Sequence, residues 1–362
     1  MNLLIFDMDG VLLEPLGYHH ALQETVRLAG EACGFSDVRL NAAQIARFEA
    51  LGISSEWHSS ALCMAWMALQ KEFAPDSQSP DWERLAAVFQ RQPQADSPIR
   101  RGAAALVQVG QEQGVSAEHA TTLMRECESL QTSPTFNWFQ ELVLGSAAFE
   151  RIYGKAGQLN TDSYLEKYDR KLLEPAWAGR VADWARQPGC GAGIMTSRPS
   201  DGPQGYAQEP DGGLGAELVG LGELPLIGNG EMRWLAEKLG VTVAEVKKPA
   251  AMHALAALLA AGGWPLERSL DYLAGGFPHM RREDLAWLDG STVIVVEDTI
   301  SGLLAMRAAG ALLEEIDVRV RVRNVGVATD AAKVAALEGM GAQVFVDVNC
   351  ALDCILATDG HR

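Results

Sequence analysis

A short apolar run at the start of the chain ends in two aspartates and a glycine. Residues 3–6 are Leu-Leu-Ile-Phe, and Asp7, Asp9 and Gly10 follow within four positions. An apolar run closed by glycine is typical of a buried strand that ends in a turn. Because residues i and i+2 of an extended chain point the same way, both carboxylates are expected to face one reacting centre, at a strand end where open α/β sheets place their chemistry. Aspartate and glycine are also common in ordinary turns, so the motif by itself leaves a structural role open.

Three later segments combine an apolar run with polar side chains. Two of them can bind an anion through hydroxyl, guanidinium or ammonium groups, and the third adds two carboxylates after a β-branched run. In chain order the residues are Thr196, Ser197 and Arg198, then Lys247 and Lys248, then Glu297 and Asp298. Taken singly, each segment has a structural explanation as a helix cap, a solvated surface charge or the acidic first turn of a helix. The occurrence of all four segments in one chain favours a shared site.

The order of the four segments resembles the haloacid dehalogenase-like (HAD) superfamily. Residues 296–302, Val-Glu-Asp-Thr-Ile-Ser-Gly, are most similar to its beta-phosphoglucomutase-like branch of phosphatases and phosphomutases. The resemblance covers residues 1–14 and about 185–357, with residues 326–328 and 341–347 as the last two core strands. It implies an α/β fold with a HAD-like Rossmannoid core, a parallel sheet flanked by helices, and a large inserted α-helical cap domain.

The resemblance also implies a catalytic role for each aspartate of the first motif. Asp7 would attack phosphorus to form an aspartyl-phosphate, and Asp9 would act as general acid and then as general base. The residues implied to bind phosphate are Thr196, Ser197 and either Lys248 or its neighbour Lys247. Because HAD dehalogenases generally lack the second aspartate, Asp9 favours a phosphatase or a phosphomutase.

Electrostatics gives an independent reason to expect a metal ion. Two carboxylates about 4 Å apart repel by roughly 4 kcal/mol at an effective dielectric constant near 20, so a cluster of acids needs a cation. A hard divalent ion with oxygen ligands satisfies this need, and Mg²⁺ suits a site of few carboxylates, waters and substrate phosphate. The resemblance implies that Asp7 and Asp298 bind Mg²⁺ through their side chains and Asp9 through its backbone carbonyl. Glu297 would be a further ligand or lie just outside.

Length and motif positions predict two domains. With 362 residues, the chain exceeds the size at which one hydrophobic core stops growing. The first strand is at the start of the chain and the next core motif begins near residue 191, so the chain must leave the core and return. We expect residues 1–14 and 185–362 to form the catalytic core and residues 15–184 to form the inserted cap. Helical spacing predicts helices at residues 18–33, 41–51, 57–73, 81–90, 116–130, 138–152 and 175–187.

Two stretches of the core are expected to lie outside the motifs. Residues 199–230, rich in glycine and proline, are predicted to form a long surface loop, and residues 264–289 a local insertion. Two residues near the motifs are candidate substrate contacts. They are His20, near the start of the insert, and Arg198. The alternative for His20 is an ordinary role in a helix, and the alternative for Arg198 is a surface salt bridge.

The charge of the chain constrains its partners. A formal net charge of −17 and a pI near 4.8 oppose broad binding to nucleic acids or anionic membranes, which depends on clustered lysine and arginine. The first residues are too short for a signal peptide, and the apolar run 250–261 is too short to span a bilayer. A cytoplasmic location is therefore expected, with the six cysteines reduced. The sequence does not indicate the oligomeric state.

These inferences favour a Mg²⁺-dependent phosphatase, a phosphoric monoester hydrolase that acts on a small phosphorylated metabolite through an aspartyl-phosphate. Two alternatives stay open. A phosphomutase would form the same intermediate and pass the phosphoryl group to a sugar hydroxyl instead of water. A non-catalytic binding or regulatory protein would keep the core and use the large insert to contact a partner. The sequence does not identify the substrate.

Overall fold

The computed structural model describes residues 1–53, 55–93 and 97–359 of the chain, which forms two compact units. Unit 1 comprises Met1–Pro15 and Asp169–Arg362, and unit 2 comprises Leu16–Tyr168. The chain therefore leaves unit 1 soon after its first strand and returns to it once. None of the helices formed by the described residues combines the length and apolarity that a bilayer crossing requires.

Unit 1 contains a six-stranded parallel sheet, which confirms the predicted α/β class. The strand order is β5-β4-β1-β6-β7-β8, and β2 and β3 form a separate antiparallel pair. In chain order the strands are β1 (Asn2–Phe6), β2 (Leu13–Glu14), β3 (Arg170–Lys171), β4 (Cys190–Met195), β5 (Leu226–Ile227), β6 (Thr292–Glu297), β7 (Arg321–Val327) and β8 (Gln343–Phe345). Phe6 at the end of β1 lies opposite Ile194 of β4 and Val296 of β6, so the carboxyl ends of these three strands are level.

All the regular secondary structure among the described residues of unit 2 is helical. Its helices are α1 (Leu16–Ala32), α2 (Ala42–Ala50), α3 (Glu56–Phe73), α4 (Trp82–Gln90), α5 (Pro98–Gln113), α6 (Glu118–Arg125), α7 (Pro134–Leu144), α8 (Ser146–Tyr153) and α9 (Tyr164–Tyr168). The predicted helix 138–152 is two helices, because Gly145 between them has a φ of 82°. Helix α5 was not predicted. Its Gly102 and Gly110 resemble helix breakers, but an added Cβ would lie 3.1 Å from Met124 and 2.9 Å from Val115, so close packing explains both.

Helices cover both faces of the sheet in unit 1. They are α10 (Pro175–Ala185), α11 (Asp211–Leu218), α12 (Asn229–Leu239), α13 (Val243–Val246), α14 (Ala251–Ala261), α15 (Leu266–Ala274), α16 (Arg282–Leu285), α17 (Ile300–Glu315), α18 (Ala331–Gly339) and α19 (Val348–Asp359), with 3₁₀ turns at Pro203–Gly205, Phe277–His279 and Ala286–Leu288. Alternate residues of β1 enter opposite core layers: Leu3 and Ile5 pack on one face, and Leu4 and Phe6 on the other.

Two predicted boundaries differ from the structure. Residues 169–184 belong to unit 1 and not to the insert, because β3 pairs with β2 and the tryptophans of α10, Trp177 and Trp184, are buried in the core layer of Phe6. Residues 199–230 are not one long surface loop, since they contain α11 and β5. Two of the glycines that suggested a loop, Gly212 and Gly215, allow close packing instead: a Cβ at Gly215 of α11 would lie 2.6 Å from the sulfur of Met8.

Candidate active site

Three carboxylates meet where β1 and β6 end. Asp7 follows β1, Glu297 is the last residue of β6, and Asp298 comes next. All three side chains are buried, and each offers one oxygen within 4.8 Å of the oxygens of the other two. Because β1 and β6 are adjacent and in parallel register, residues 290 positions apart in the sequence are brought together.

Lys248 is the cation at the centre of this cluster. Its Nζ lies 2.9 Å from Asp7 Oδ1 and 3.1 Å from Glu297 Oε1, and it donates to the carbonyl oxygen of Met195 at 3.2 Å. Burial opposes the charged form of Lys248, but the two carboxylates outweigh it and raise its pKa above the usual value. Of the two candidate lysines, Lys248 therefore makes the contacts to the acids. Burial, reinforced by the charge of Lys248, lowers the pKa of Lys247.

A second charged group holds Asp9. Arg198 Nε and Nη2 both donate to Asp9 Oδ1, at 2.9 and 2.7 Å, and Nη2 also donates to Asp169 Oδ2 at 2.8 Å. The side chain of Arg198 is 1% exposed and that of Asp169 is 0% exposed, whereas 34% of the Asp9 side chain is accessible. The predicted substrate contact, Arg198, thus binds two carboxylates of the chain itself, and no sequence pattern pointed to Asp169.

Lys333 is a further cation that the sequence analysis missed. It lies in the first turn of α18, where Asp330 caps the helix, and its Nζ is 2.6 Å from Asp298 Oδ2. Helix α18 follows β7, the neighbour of β6, so its first turn arises at the same edge of the sheet. Asp330, a helix-capping residue three positions after the end of β7, is the sequence signal that could have indicated a helix start, and so Lys333, near this edge.

The predicted phosphate-binding hydroxyls have different exposures. Thr196 is fully buried, its backbone N–H donates to the carbonyl oxygen of Ile227 at 2.9 Å, and its Oγ1 accepts from the backbone N–H of Arg198 at 3.1 Å. Ser197 is exposed. Both residues directly follow β4, beside Asp7 at the end of β1. Both hydroxyls therefore lie at the carboxyl edge of the sheet, that of Thr196 buried and that of Ser197 at the surface.

His253 connects the backbone of Lys248 to that of Ile227, the hydrogen-bond partner of Thr196. Its Nδ1 is 3.1 Å from the backbone N of Lys248, and its Nε2 is 3.1 Å from the carbonyl oxygen of Ile227, which also accepts from Thr196. Burial, together with the charge of Lys248, lowers the pKa of His253 to about 3. The imidazole is therefore neutral, with Nδ1 as acceptor and Nε2–H as donor.

Glycines make room for the carboxylates. Gly10 has a φ of 77°, and a Cβ there would lie 2.4 Å from Asp298 Oδ2. In α17, a Cβ at Gly302 would lie 1.6 Å from Glu297 Oε1. No larger residue fits at either position without moving an acid.

The cluster carries an excess of negative charge. Five carboxylates meet three cations: Asp7, Asp9, Asp169, Glu297 and Asp298 against Arg198, Lys248 and Lys333. Burial raises the pKa of Glu297 well above its usual value, and the charge of Asp7 adds to this. Burial also raises the pKa of Asp9 and Asp298, although Arg198 and Lys333 act in the opposite direction. With every group ionised, the cluster would hold two surplus negative charges.

The donor set fits a hard divalent cation. Three buried carboxylates provide only oxygen, the ligand atom that Mg²⁺ prefers. Glu297 Oε2 is buried and has no hydrogen-bond partner among the described residues, which is costly unless a cation or water satisfies it. A charge of +2 would also balance the two surplus negative charges.

His20 lies in unit 2, on helix α1. Its ring packs on Tyr168 with the centroids 4.2 Å apart, and both rings line a cavity of about 430 Å³ in unit 2. The role of His20 as a substrate contact stays a prediction.

A cavity of about 820 Å³ lies away from the acidic cluster. Its lining includes Gly191 and Ala192 at the start of β4 and Ala178 of α10, so it opens at the amino end of the strand. Most of the residues around it are small, and its lining also includes the charged residues Asp183, Arg186, Glu217 and Glu223. The chemistry of the side chains, and not cavity size, locates the candidate active site at the opposite end of the strands.

Comparisons with known proteins identify the fold. No protein-family model matches the chain, and no curated protein matches it. An X-ray structure determined by the Northeast Structural Genomics Consortium is similar to it, with a TM-score of 0.59 and 17% identity over 99% of this chain and 100% of the other. Phosphatase Tt82 from Thermococcus thioreducens gives a TM-score of 0.49 and 14% identity over 93% of this chain and 99% of the other. The first similarity shows that a solved protein shares this fold.

Proposed function

We propose that this chain is a Mg²⁺-dependent phosphatase of the HAD type that hydrolyses a phosphoric monoester through an aspartyl-phosphate on Asp7. The observation that carries the proposal is the buried cluster of Asp7, Glu297 and Asp298 around Lys248, at the carboxyl edge of a parallel sheet. Ligands bind at this edge in open α/β sheets. Phosphoryl transfer depends on positioned charges of both signs, and this edge supplies both.

Asp7 and Asp298, with Glu297 beside them, are the residues that would hold the metal ion, and the backbone carbonyl of Asp9 would complete the set. When bound, Mg²⁺ supplies positive charge to the phosphoryl oxygens and orients the substrate. Lys248 and Thr196 are proposed to bind the remaining oxygens, with Ser197 at the surface. These groups are held in place before the reaction, which is what electrostatic stabilisation of a transition state requires.

The first half-reaction forms a phosphoenzyme. A carboxylate oxygen of Asp7 attacks phosphorus, the bond between phosphorus and the ester oxygen breaks, and Asp9 donates its proton to the departing oxygen. The alcohol leaves neutral, and Asp9 is left ionised. Burial raises the pKa of Asp9, which favours the protonated form that this step needs.

The second half-reaction restores the enzyme. A water oxygen attacks phosphorus, Asp9 takes the proton of that water, and the bond from phosphorus to Asp7 breaks. Inorganic phosphate leaves, Asp7 is an ionised carboxylate again, and Asp9 is protonated again. One residue therefore serves as acid and as base in turn.

We further propose that the substrate is a small phosphorylated metabolite and that unit 2 is the inserted cap that selects it. The support is chain order: unit 2 begins seven residues after Asp9 and ends directly before Asp169. A cytoplasmic location and a lack of nucleic-acid and membrane partners remain part of this proposal, on the charge of the chain.

The test is hydrolysis of p-nitrophenyl phosphate by the full chain, with Mg²⁺ and after its removal by a chelator. We expect activity that requires Mg²⁺ and that falls by at least about 10³-fold in Asp7→Asn, since the nucleophile is lost. Asp183→Asn, which removes an exposed carboxylate of α10, is the matched control and should keep full activity. Activity that survives Asp7→Asn would refute the mechanism, and a chain inactive on a panel of phosphorylated sugars, acids and nucleotides would favour a binding or regulatory protein. Transfer of phosphate between sugar hydroxyls without release would favour a phosphomutase.

A further inference from the structure

Asp9, Arg198 and Asp169 form a buried chain of charges with one accessible end. Arg198 places two N–H groups on a single oxygen of Asp9 and shares one nitrogen with Asp169. Only Asp9 reaches the surface of the site, because the side chains of Arg198 and Asp169 are 1% and 0% exposed. Arg198 and Asp169 are thus placed to act on Asp9 and not on solvent.

We propose that Asp169 and Arg198 are positioning residues that fix the carboxylate of Asp9, so that its second oxygen, Oδ2, exchanges the proton with the reacting oxygen. This inference rests on the proposed phosphatase function. A guanidinium that donates twice to Oδ1 restrains both the side-chain torsions of Asp9 and the direction of Oδ2. The ammonium of a lysine is a point charge and does not impose this geometry.

Asp169 in turn fixes Arg198. An arginine buried with one carboxylate partner retains unmatched donors and charge, which is expensive in a low-dielectric interior. Asp169 supplies the second carboxylate, and so the guanidinium stays paired when Asp9 carries a proton. Helix α11 also passes close to the guanidinium, since a Cβ at Gly215 would lie 3.2 Å from Arg198 Nη1.

The backbone next to Asp169 is tied to the backbone next to Asp9. Arg170 and Lys171 of β3 pair with Glu14 and Leu13 of β2. The carbonyl of Leu13 accepts from the N–H of Gly10 at 2.7 Å, directly after Asp9. The two aspartates therefore belong to one local framework, although they are 160 positions apart.

Positioning of a general acid has a chemical signature that a general loss of folding lacks. p-Nitrophenolate is a good leaving group without protonation, whereas the departure of phenolate depends more strongly on a proton from a general acid. A misplaced Asp9 should therefore slow the hydrolysis of phenyl phosphate more than that of p-nitrophenyl phosphate, although the two substrates have similar shapes. The comparison uses kcat/KM, because this ratio reports the step in which the leaving group departs.

The experiment measures kcat/KM for both esters with Mg²⁺, in the wild type and in Asp169→Asn. A positioned general acid contributes about 10²- to 10⁴-fold, so we expect the preference for p-nitrophenyl phosphate to rise at least about tenfold in the variant. Arg186→Gln is the matched control. It breaks an exposed pair with Glu223, at 2.6 Å, away from the β2–β3 framework, and should leave the preference unchanged.

Thermal unfolding verifies that each variant is folded. If Asp169→Asn does not fold, Asp169→Glu keeps the charge, displaces the carboxylate and is judged by the same ratio. An unchanged preference in a folded variant of an active enzyme would overturn the positioning role while leaving the phosphatase proposal intact. A wild type that hydrolyses neither ester with Mg²⁺ would instead count against the phosphatase proposal.

Discussion

At the scale of single residues, His253 shows how a buried neutral group organises a charged site. It accepts from the backbone of Lys248 and donates to Ile227, whose carbonyl also holds Thr196. Two of the proposed phosphate-binding residues are therefore connected through one imidazole. The role requires a ring that stays unprotonated beside a buried ammonium, and the low pKa of His253 meets this requirement.

We expect His253 to make the protein sensitive to acid. The pKa falls from 6.5 in the unfolded chain to about 3 in the folded one, so between these values only the unfolded chain binds the proton. The stabilisation from the neutral ring is complete above pH 6.5 and decreases as the pH falls, by up to about 1.4 kcal/mol per pH unit. Urea unfolding at pH 8 and pH 5 should therefore show His253→Gln less stable than the wild type at pH 8, by about 1–3 kcal/mol, with a smaller difference at pH 5.

The matched control for this prediction is His119→Gln, at an exposed position of α6. It should change stability little at either pH. A difference between wild type and His253→Gln that is equal at the two pH values would show that the ring does not titrate in the expected way.

Lys333 leads to a prediction about metal affinity. Its ammonium contacts Asp298 Oδ2 at 2.6 Å, so it competes with a divalent ion for that oxygen and repels it. Lys333 is half exposed, and solvent weakens the repulsion, so we expect Lys333→Gln to tighten Mg²⁺ binding about three- to tenfold. Titration calorimetry measures this directly, with Lys238→Gln on α12 as the control. Weaker binding in Lys333→Gln would mean that Lys333 supports the metal site instead of opposing it.

At the scale of secondary-structure elements, the first turn of α17 packs closely against the side chain of Glu297. Gly302 lets the helix pass Glu297 Oε1, since an added methyl would overlap it. We expect Gly302→Ala to lower the free energy of unfolding by about 1–3 kcal/mol and to weaken Mg²⁺ binding, because Glu297 must move. Gly179→Ala in α10 is the matched control. Nothing lies within 4 Å of its added Cβ, so it should leave stability unchanged or raise it by up to about 1 kcal/mol. Equal effects of the two substitutions on stability and metal binding would contradict the account.

The elements that carry the site could be predicted from local sequence because each motif lies at a strand end. Apolar runs before Asp7, Thr196 and Glu297 identified β1, β4 and β6, and parallel pairing brings their ends together. Asp169 and His253 could not be predicted in this way. They lie on segments without a strand-end motif, and only tertiary packing places their side chains against Arg198 and Lys248.

Glycine-rich segments were the other source of error. Glycine is usually a signal for a loop or a helix end, yet in α5 and α11 several glycines lie inside helices. The signal fails there because most of these glycines serve helix packing: at Gly102, Gly110 and Gly215, neighbouring atoms occupy the space that a side chain would need. Local propensity does not contain this information, since the close neighbours of Gly110 and Gly215 depend on the folded chain.

At the scale of the whole molecule, two units share one chain, and the proposed chemistry resides in unit 1. The acids, Lys248, Arg198 and Lys333 all belong to it. Unit 2 contributes about 150 residues of helix and loop between two segments that reach the site. The selection of a substrate by unit 2 and the absence of nucleic-acid binding stay predictions.

The central claim is that Asp7 carries the phosphoryl group during turnover. The most direct measurement is acid quenching of the full chain during hydrolysis of p-nitrophenyl phosphate with Mg²⁺, followed by borohydride reduction, which converts a phosphorylated aspartate to homoserine, and peptide mass spectrometry. We predict conversion at Asp7 in the wild type and in Asp183→Asn, and none in Asp7→Asn or without substrate. Steady turnover with no conversion at position 7, or with conversion at another carboxylate, would contradict the account.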